Sequence, residues 1–430
     1  MAGRRQGGGG SAATALLMKG APSREVLVPR LVVMAIVALL LVVGIVMIYS
    51  ASSVDAYVSD ANQSSAFFRK HLIIVAASVV VAVLVVAFRN LWWNQRFLLW
   101  AWIISTVMLI VTFGFGFVGL GAKRWIDLGF FQLQPSEFAK ITVMLMFANL
   151  LVRYRNGELA NGFRSLTLWS AVYVLLPVAG IIIQPDLGTT LVLMMSVVAV
   201  LWFGEIKRSY LIAIFAAIAV LAIIAILAAG FRSDRIMAWL HPQDDPYGYG
   251  YQSLNSYYAF ANGGFLGVGL GNSTQKYQYL TYPHNDFIYA IVGEEGGFVA
   301  AVGLIVLFLA LAFFSFRIGR HAQSEFGMLI CNSAAATIVF QALLNMGCVS
   351  GVFPVTGKPL PFISYGGSSL LSTMILVGII LSVSFWDSDD GSRRRRRTIS
   401  ERSRDGGSPT GTRGTGASGG RGGSSRTRVA

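Results

Sequence analysis

The side chains best suited to chemistry lie in a Gly- and Tyr-rich stretch that runs from Gly263 to Gly297. Asp286 stands where this stretch meets a strongly apolar run, and Glu294 and Glu295 lie inside that run. Just upstream of Asp286 are Gln275, Lys276 and His284. Hydrocarbon penalises buried charge, so acids at a membrane boundary indicate a functional site. Because a carboxylate beside basic groups can take a proton from a hydroxyl, we predict that Asp286 is a catalytic base.

Each of these acids also has a structural interpretation. Asn285 or Asp286 could cap the helix that follows and satisfy its first amides, and spacing alone does not decide between capping and catalysis. Glu294 and Glu295 lie about 12 Å deeper along that helix, where an acid needs a partner on a neighbouring helix. We predict this supporting role for both, with Glu294 nearer to the Asp286 face.

A second polar group lies in the segment 119–134. Lys123 and Arg124, followed by Trp125, place two cations and an indole at a predicted outer interface. Two cations in this position indicate an anionic ligand, and pyrophosphate fits best. Snorkelling of both side chains at a helix end is an equally weighted alternative. Lys276 and Lys358 are further candidates for binding the same anion.

Three more charged residues are predicted to be structural. In PSEFAK, which begins at Pro135 and reads as a helix start, Glu137 lies in the first turn and Lys140 follows three residues later. This spacing predicts a local ion pair. Asp186, in QPDLGTT, is typical of a tight turn.

The composition describes an integral membrane protein. Of the 430 residues, 55% are hydrophobic and only 13% are charged, and the mean hydropathy is +0.63. The net charge of +14 does not indicate a nucleic-acid partner, because 11 of the 34 lysines and arginines lie after Gly391. Cys331 and Cys348 are about 25 Å apart on one predicted helix, which is too far for a disulfide.

Ten apolar runs have about the length that a helix needs to span a bilayer. They cover residues 27–50, 71–88, 97–118, 135–152, 165–184, 188–204, 209–231, 286–316, 326–349 and 366–386. Lys and Arg concentrate in alternate gaps, which places both termini in the cytoplasm. The predicted fold class is an all-α integral membrane protein of about ten transmembrane helices, with its large outer loop between helices 7 and 8.

Three outer segments are predicted to pack around a cavity open to the outer leaflet. Segment 119–134 is amphipathic and suited to the membrane interface, 232–285 is the large loop, and 350–365 is rich in Pro and Gly and suggests a folded-back loop. Residues 27–388 then form one membrane domain. The tails 1–26 and 389–430 are predicted to be disordered. The basic C-terminal tail would bind anionic lipid or, alternatively, an acidic cytoplasmic partner.

Motifs for nucleotides and metals are missing from the sequence. GVGLG lacks the dinucleotide-binding spacing, and no phosphate loop follows it. SYGGSS is not a nucleophile elbow, and four His and two Cys show no metal-ligand spacing. We therefore expect no cofactor, with a divalent cation as an open alternative, and a donor substrate that arrives already activated.

Five motifs follow one another in a characteristic order. They are GIVMIYSASS, RWIDLG…QPSEFAK, QPDLGTT, GLGNSTQKYQYL…HNDFIYAIVGEEGGF and PVTGKPLPFISYGGSSLL. Together they resemble the motifs of the SEDS family (FtsW, RodA and SpoVE) over residues 28–388. The sequence is more similar to the division branch of that family than to the elongation branch, and its basic tail resembles the tails of actinobacterial members.

The resemblance implies a peptidoglycan glycosyltransferase that polymerises lipid II and works with a class B penicillin-binding transpeptidase. It implies that Asp286, in HNDF where the family usually has HTDF, is the catalytic acid residue of the large outer loop, and that Arg124 is the basic residue of RWIDLG. Gln252 and Ser364, which lie in family motifs, are expected to support the site. Asn255 stands where Gln is common, which changes the local loop but not the acid.

The resulting hypothesis is an inverting transfer in which Asp286 accepts a proton from the acceptor hydroxyl and undecaprenyl pyrophosphate leaves the donor. A lipid II transporter is one alternative, since ten spans with polar residues near the outer face could also describe one. A transporter is expected to carry ionisable groups near the bilayer midplane on several helices, and deep acids occur in the sequence only at Glu294 and Glu295. The others are a scaffold that recruits the transpeptidase and an elongation-type polymerase. The expected partners are lipid II, the transpeptidase and other division proteins, with no nucleic acid. The expected location is the plasma membrane at the septum.

Overall fold

Nine of the ten predicted apolar runs form helices. The computed structural model describes residues 24–59, 61–119, 122–127, 129, 132–206, 212, 236–277, 279–280 and 284–385, and these residues belong to one unit, Ala21–Ser388. The seventh run, 209–231, lies outside the described residues except for residue 212, and so do residues 1–23 and the C-terminal tail.

The helices follow the apolar runs closely because a backbone in lipid must satisfy its own hydrogen bonds. They are α1 (Arg24–Ser59), α2 (Ala61–Ala87), α3 (Gln95–Phe115), α4 (Pro135–Arg155), α5 (Gly162–Ser170), α6 (Leu176–Ile183), α7 (Leu187–Phe203), α8 (Tyr251–Gly263), α9 (Ile288–Arg320), α10 (Glu325–Val349) and α11 (Gly367–Phe385). A π turn at Ala171–Leu175 joins α5 to α6, and short 3₁₀ turns lie at Arg89–Trp93 and Pro242–Asp244. Eight spans among the described residues are long and apolar enough to cross a membrane, and α7 is a shorter apolar helix.

A small antiparallel sheet occupies the outer segment that was expected to be amphipathic and interfacial. Its strands are β1 (Phe117–Gly119), β2 (Ala122–Asp127) and β3 (Gln132–Leu133), in that order. Trp125 lies opposite Phe117, and Ile126 lies opposite Leu133. Aromatic and branched residues favour a pleated surface, and successive side chains of a strand alternate between its faces. The otherwise helical fold therefore carries a β element that the sequence analysis did not predict.

Three helices form the interior of the bundle. In the spanning windows of α4, α10 and α11, 78% of the residues are buried, against 22–39% in the other candidate spans. Polar residues on these three helices cannot reach solvent easily, so they must find partners within the bundle. The helices that surround them expose apolar side chains, as surfaces in contact with lipid do.

Basic residues from the predicted cytoplasmic segments lie at one end of the bundle. Arg155, in the last turn of α4, contacts Glu325 at the start of α10. At the same end, Arg30 of α1 donates from Nε to the Ser384 hydroxyl of α11 at 2.9 Å. The first residues of α4, by contrast, lie at the opposite end of the bundle, near Asp186 and the outer segments.

Helix α9 is interrupted at Gly297, where the backbone adopts φ 67° and ψ −169°. The break leaves helix amides and carbonyls without partners, and residues 264–269 supply them. Val268 and Gly269 donate to the carbonyls of Glu294 and Glu295, each at 3.0 Å. Phe298 donates to the carbonyl of Gly264 at 2.9 Å. A broken helix at membrane depth is tolerated when protein covers it in this way.

Candidate active site

Asp286 lies two residues before the start of α9 and is half-buried. Its backbone carbonyl accepts a hydrogen bond from Nδ2 of Asn345 at 2.8 Å, and the same amide donates to the carbonyl of Lys358 at 2.7 Å. The carboxylate oxygen Oδ2 faces Gly357, where an added Cβ would lie 3.4 Å away. Helix α10 therefore holds Asp286 beside the loop that carries Lys358.

Capping was the alternative role for Asn285 and Asp286. The residue at the N-cap position of α9 is Phe287, whose side chain makes no capping hydrogen bond, so neither Asn285 nor Asp286 occupies that position. The role of Asp286 as a base stays a prediction.

Segments 232–285 and 350–365 contact one another, as the sequence analysis predicted, whereas segment 119–134 bonds Ser368 of α11. Each contact joins two segments that are distant in the chain, and one involves the backbone of His284, two residues before Asp286. The hydrogen bonds are Trp239 Nε1 to the Gly351 carbonyl (2.8 Å), Tyr365 N to the His284 carbonyl (2.8 Å) and Ser368 Oγ to the Gln132 carbonyl (2.8 Å). The ring of His284, which is buried, also meets that of Tyr365 edge-on at 6.0 Å.

A buried network of charges surrounds Lys358, which is 4% exposed. Its Nζ lies 3.2 Å from Oδ2 of Asp186 and 3.4 Å from Oε1 of Glu137, and it also donates to the Thr189 hydroxyl. The predicted turn residue Asp186 also caps α7, because its Oδ1 accepts from the Thr189 amide at 3.0 Å. Lys358, Asp186 and Glu137 together join the 350–365 loop to α7 and α4.

The same network continues into α4 through Lys140. Its Nζ lies 2.6 Å from Oε2 of Glu137 and 2.8 Å from Oε1 of Gln341, and the Ser372 hydroxyl donates to Glu137 at 2.9 Å. Two lysines and two carboxylates thus alternate in space, so each buried charge has an opposite neighbour. Such burial is tolerated because the charges are paired and hydrogen-bonded.

Arg124 reaches the edge of this network from β2. Its Nε donates to the carbonyl of Gln184 at 3.0 Å, and its Nη2 donates to the carbonyl of Pro185 at 2.6 Å. The residue is half-buried. The structure therefore places this predicted anion ligand next to the turn that carries Asp186.

Opposite charges keep both Asp186 and Lys358 ionised. Burial by itself raises the pKa of the Asp186 carboxyl, but Lys358, the Thr189 hydrogen bonds and Arg124 outweigh it and hold the pKa below its ordinary value. Burial lowers the pKa of Lys358, but Asp186 and Glu137 outweigh it and raise the pKa above its ordinary value. Both groups lie in outer turns, and both are charged at neutral pH.

Lys276 belongs to a second buried cluster, with Glu295. Its Nζ lies 3.1 Å from Oε1 of Glu295, 3.2 Å from the Ser50 hydroxyl and 2.6 Å from the Gly271 carbonyl. Ser50 also donates to Glu295 at 2.6 Å. Lys276 is 2% exposed, so in this structure it links the large outer segment to α1 and α9 rather than facing an outer cavity.

Glu294 organises the segment just before Lys276. Its carboxylate accepts from the amides of Thr274 (3.1 Å) and Gln275 (3.2 Å), from the Thr274 hydroxyl (2.8 Å) and from Nδ2 of Asn262 (3.2 Å), and the Ser273 hydroxyl donates to it as well. These five donors come from α8 and from the loop after it. Glu294 therefore fixes that loop to the helix that begins after Asp286.

The remaining predicted site residues have varied positions. Trp125 is half-buried in β2, and the Lys123 side chain lies outside the described residues. Gln252 is half-buried in the first turn of α8. Ser364 is buried, and its hydroxyl accepts from the Leu360 amide at 2.8 Å, which closes the turn before α11. Among the described residues, no group of three His, Cys, Asp or Glu side chains could hold a metal.

Sequence reasoning missed the uncharged members of the site. Gln341 and Asn345 both lie on α10. Gln341 accepts a hydrogen bond from Lys140, and Asn345 donates to the backbone carbonyls of Asp286 and Lys358. Their spacing of four residues places them on one face of a helix that is mostly apolar. Two polar residues at this spacing inside an apolar run of the sequence could have indicated that this helix faces a polar site. Thr189 and Ser372 carried no comparable signal.

We expect Gly188→Ala to destabilise the network by overpacking. An added Cβ would lie 2.6 Å from Cγ of Lys358 and 3.0 Å from the Thr356 carbonyl, and overpacking of this kind costs about 1–3 kcal/mol. Thermal unfolding of the purified protein measures the effect. Gly180→Ala is the matched control, because its Cβ would meet nothing nearer than Leu109 at 3.7 Å. Equal unfolding midpoints for the two variants would contradict the packing described here.

We expect Glu294→Gln to loosen the loop 273–275. The neutral amide keeps the shape but weakens hydrogen bonds that are each worth about 1.5–3 kcal/mol when the acceptor is charged. Hydrogen exchange at the amides of Thr274 and Gln275 should then accelerate about ten- to hundredfold. Glu205→Gln, at an exposed position, is the control. Unchanged exchange in Glu294→Gln would show that the carboxylate does not hold the loop.

Fold and site together define a polytopic helical membrane protein that holds a carboxylate next to a buried charge network at one end of its bundle. The family described as "cell cycle protein", which comprises FtsW, RodA and SpoVE, matches residues 30–388. The chain belongs to this family.

Relatives and solved structures agree with this membership. The probable peptidoglycan glycosyltransferase FtsW of Trichlorobacter lovleyi is 35% identical over 362 residues, which are 82% of this chain and 92% of the relative. A chain of a peptidoglycan synthase complex, solved in a study of how polymerization and crosslinking are coordinated, is similar with a TM-score of 0.66 and 27% identity, over 82% of this chain and 96% of that one. The rod-shape-determining protein RodA of Thermus thermophilus shares the fold, with a TM-score of 0.60 and 24% identity over 82% of this chain and 95% of that one.

Proposed function

We propose that the chain is a peptidoglycan glycosyltransferase that polymerises lipid II during cell division. The observation that carries the proposal is the position of Asp286. It is half-buried at the end of the bundle and held beside the Lys358 loop by Asn345. The relative named as a probable peptidoglycan glycosyltransferase supports the activity and its division branch.

The proposed reaction is one inverting displacement. Asp286 accepts the proton of the acceptor GlcNAc 4-hydroxyl, and the hydroxyl oxygen forms a β-1,4 bond to the anomeric carbon of the donor. The bond from that carbon to the undecaprenyl pyrophosphate breaks, and its electron pair leaves with the pyrophosphate oxygen. One base and one in-line displacement correspond to the inverting geometry of glycoside chemistry. No nucleotide is needed, because the donor is already activated.

Arg124 is the best placed of the predicted anion ligands. Two of its five N–H donors bond carbonyls of the turn 184–185, which leaves donors for a phosphate oxygen. Lys358 and Lys276 are both engaged with buried carboxylates. They would act on the leaving group through the field of the site.

A class B penicillin-binding transpeptidase is the proposed partner, and the septal plasma membrane is the proposed location. The solved chain that this protein resembles is part of a peptidoglycan synthase complex, and eight candidate spans suit a multi-pass membrane protein. Other division proteins, and a cytoplasmic partner for the basic tail, are further proposed contacts. No cofactor is required by the proposed reaction.

The test is reconstitution of the full chain and its partner in vesicles with labelled lipid II. We expect long glycan strands on a gel, and strands that lysozyme-type digestion shortens. Movement of lipid II between leaflets without any strands would instead favour the transporter. Neither strands nor movement, with the transpeptidase present and active, would favour the scaffold.

A further inference from the structure

A small pocket lined by both polar and apolar side chains lies at the opposite end of the bundle from Asp286. Helix α4 begins beside the Glu137 network and ends about 30 Å away at Arg155. Near that second end, a pocket of about 180 Å³ opens between the start of α3, the last turns of α4 and the π turn 171–175. Its polar lining consists of Gln95, Arg96, Asn149, Arg153 and Tyr173.

The pocket carries a net positive charge. Arg96 is exposed, and the Arg153 side chain is 37% exposed. Glu158 approaches Nε of Arg153 to 3.4 Å, so one carboxylate offsets one of the two guanidinium groups. The side-chain amide of Gln95 lies between Asn149, at 3.2 Å, and Arg153, and its oxygen accepts from Nε and Nη1 of Arg153 at 2.9 and 3.0 Å. The two amides add neutral hydrogen-bonding groups to the pocket. Two arginines with amide neighbours are suited to a phosphate group.

Aromatic side chains hold the far wall of the pocket in place. The ring of Tyr173 stacks on Trp169 at 5.4 Å and meets Trp102 edge-on at 5.2 Å. Nε1 of Trp102 donates to the Tyr173 carbonyl at 3.1 Å, which satisfies a backbone group within the π turn. Such turns occur often at functional sites, and tryptophans favour the depth of lipid headgroups.

The rest of the lining is apolar and continues onto the outer surface of the bundle. Leu99 and Leu150 line the pocket. Leu99 is 39% exposed, and the adjacent Trp100 is 62% exposed. A volume of about 180 Å³ is below the roughly 300–1,000 Å³ of sites for drug-sized ligands. It suits a headgroup phosphate whose hydrocarbon chains run outward along the apolar wall. A soluble anion would make no use of that wall.

We propose that this pocket binds the phosphate headgroup of an anionic diacyl phospholipid from the leaflet on the basic, predicted cytoplasmic face. Basic pockets between membrane helices on that face attract anionic headgroups. The inference does not depend on the glycosyltransferase activity, because no pocket residue belongs to the Asp286 site.

The test compares lipids retained by the purified full-length chain in native mass spectrometry. The probes are phosphatidylglycerol and phosphatidylcholine with the same acyl chains. We expect the wild type to retain phosphatidylglycerol preferentially, and the double variant Arg96→Gln/Arg153→Gln to retain it about 25-fold less, at about fivefold per cation. Arg96→Lys/Arg153→Lys should keep most of the binding. Arg164→Gln removes an exposed cation outside the pocket lining and should change little.

Three results would overturn the proposal. They are equal retention of the two lipids by the wild type, equal retention of phosphatidylglycerol by the wild type and the Gln double variant, and displacement of the lipid by inorganic phosphate alone. The last result would assign the pocket to a soluble anion. Thermal unfolding in phosphatidylcholine, expected to be the same for every variant, separates lost binding from lost folding.

Discussion

Asp286→Asn is expected to reduce lipid II polymerisation by about 10²–10⁴-fold, which is the contribution of a positioned general base. Asparagine has nearly the same shape as aspartate but cannot accept the acceptor proton. The bond from Asn345 goes to the backbone carbonyl of Asp286, so the substitution leaves this anchor intact. The measurement is the initial rate of strand formation by the purified variant with its partner.

The matched control is Asp244→Asn, which removes an exposed carboxylate from the same outer segment. It should polymerise lipid II at close to the wild-type rate. Both variants should unfold at the wild-type temperature. A folded Asp286→Asn protein with wild-type activity would remove Asp286 from the mechanism, whereas loss of activity in both variants would point to a general effect of charge in the segment.

Lys358→Met is expected to destabilise the protein by about 3–5 kcal/mol, the cost of leaving buried charges without their partner. Lys358 is 4% exposed and lies within 3.4 Å of both Asp186 and Glu137. Lys140 still faces Glu137 in the variant, so Asp186 loses the most. Thermal or denaturant unfolding in detergent measures the change, with the exposed Lys70→Met as control.

A double-mutant cycle separates the ion pair from simple packing. Asp186→Asn in the Lys358→Met background should restore part of the lost stability, because no unpaired charge then remains at that position. Strictly additive effects would show that the two side chains do not interact.

The pH dependence of this pair follows from its pKa directions. The pKa of Asp186 is lowered in the folded state. Its contribution to the free energy of unfolding is therefore fully present above the ordinary pKa of about 3.9 and is lost as the pH falls through the pKa of the folded state. The pKa of Lys358 is raised in the folded state. Its contribution to the free energy of unfolding is therefore fully present below the ordinary pKa of about 10.4 and is lost as the pH rises through the pKa of the folded state. The stability difference between the wild type and the double variant Lys358→Met/Asp186→Asn, which lacks both charges, should therefore be nearly constant between about pH 5 and pH 9.

The sequence by itself determined the helices and the place of the candidate base. Apolar runs predict helices in lipid because no other open structure can satisfy the backbone there, and nine runs became helices where they were expected. Asp286 was located by its position at a membrane boundary. The apolar run 165–184 also predicted its span, but not the π turn inside it, since hydropathy does not report backbone geometry.

Only the tertiary structure decided which charges are partners. Lys358 meets Glu137 and Asp186, which are 221 and 172 residues away in the chain, and Lys276 meets Glu295 rather than the adjacent Glu294. Local spacing carries information about neighbours on one helix, so it could indicate the pair of Glu137 and Lys140. The other partners depend on how helices and loops pack, and that is decided by contacts between residues distant in sequence.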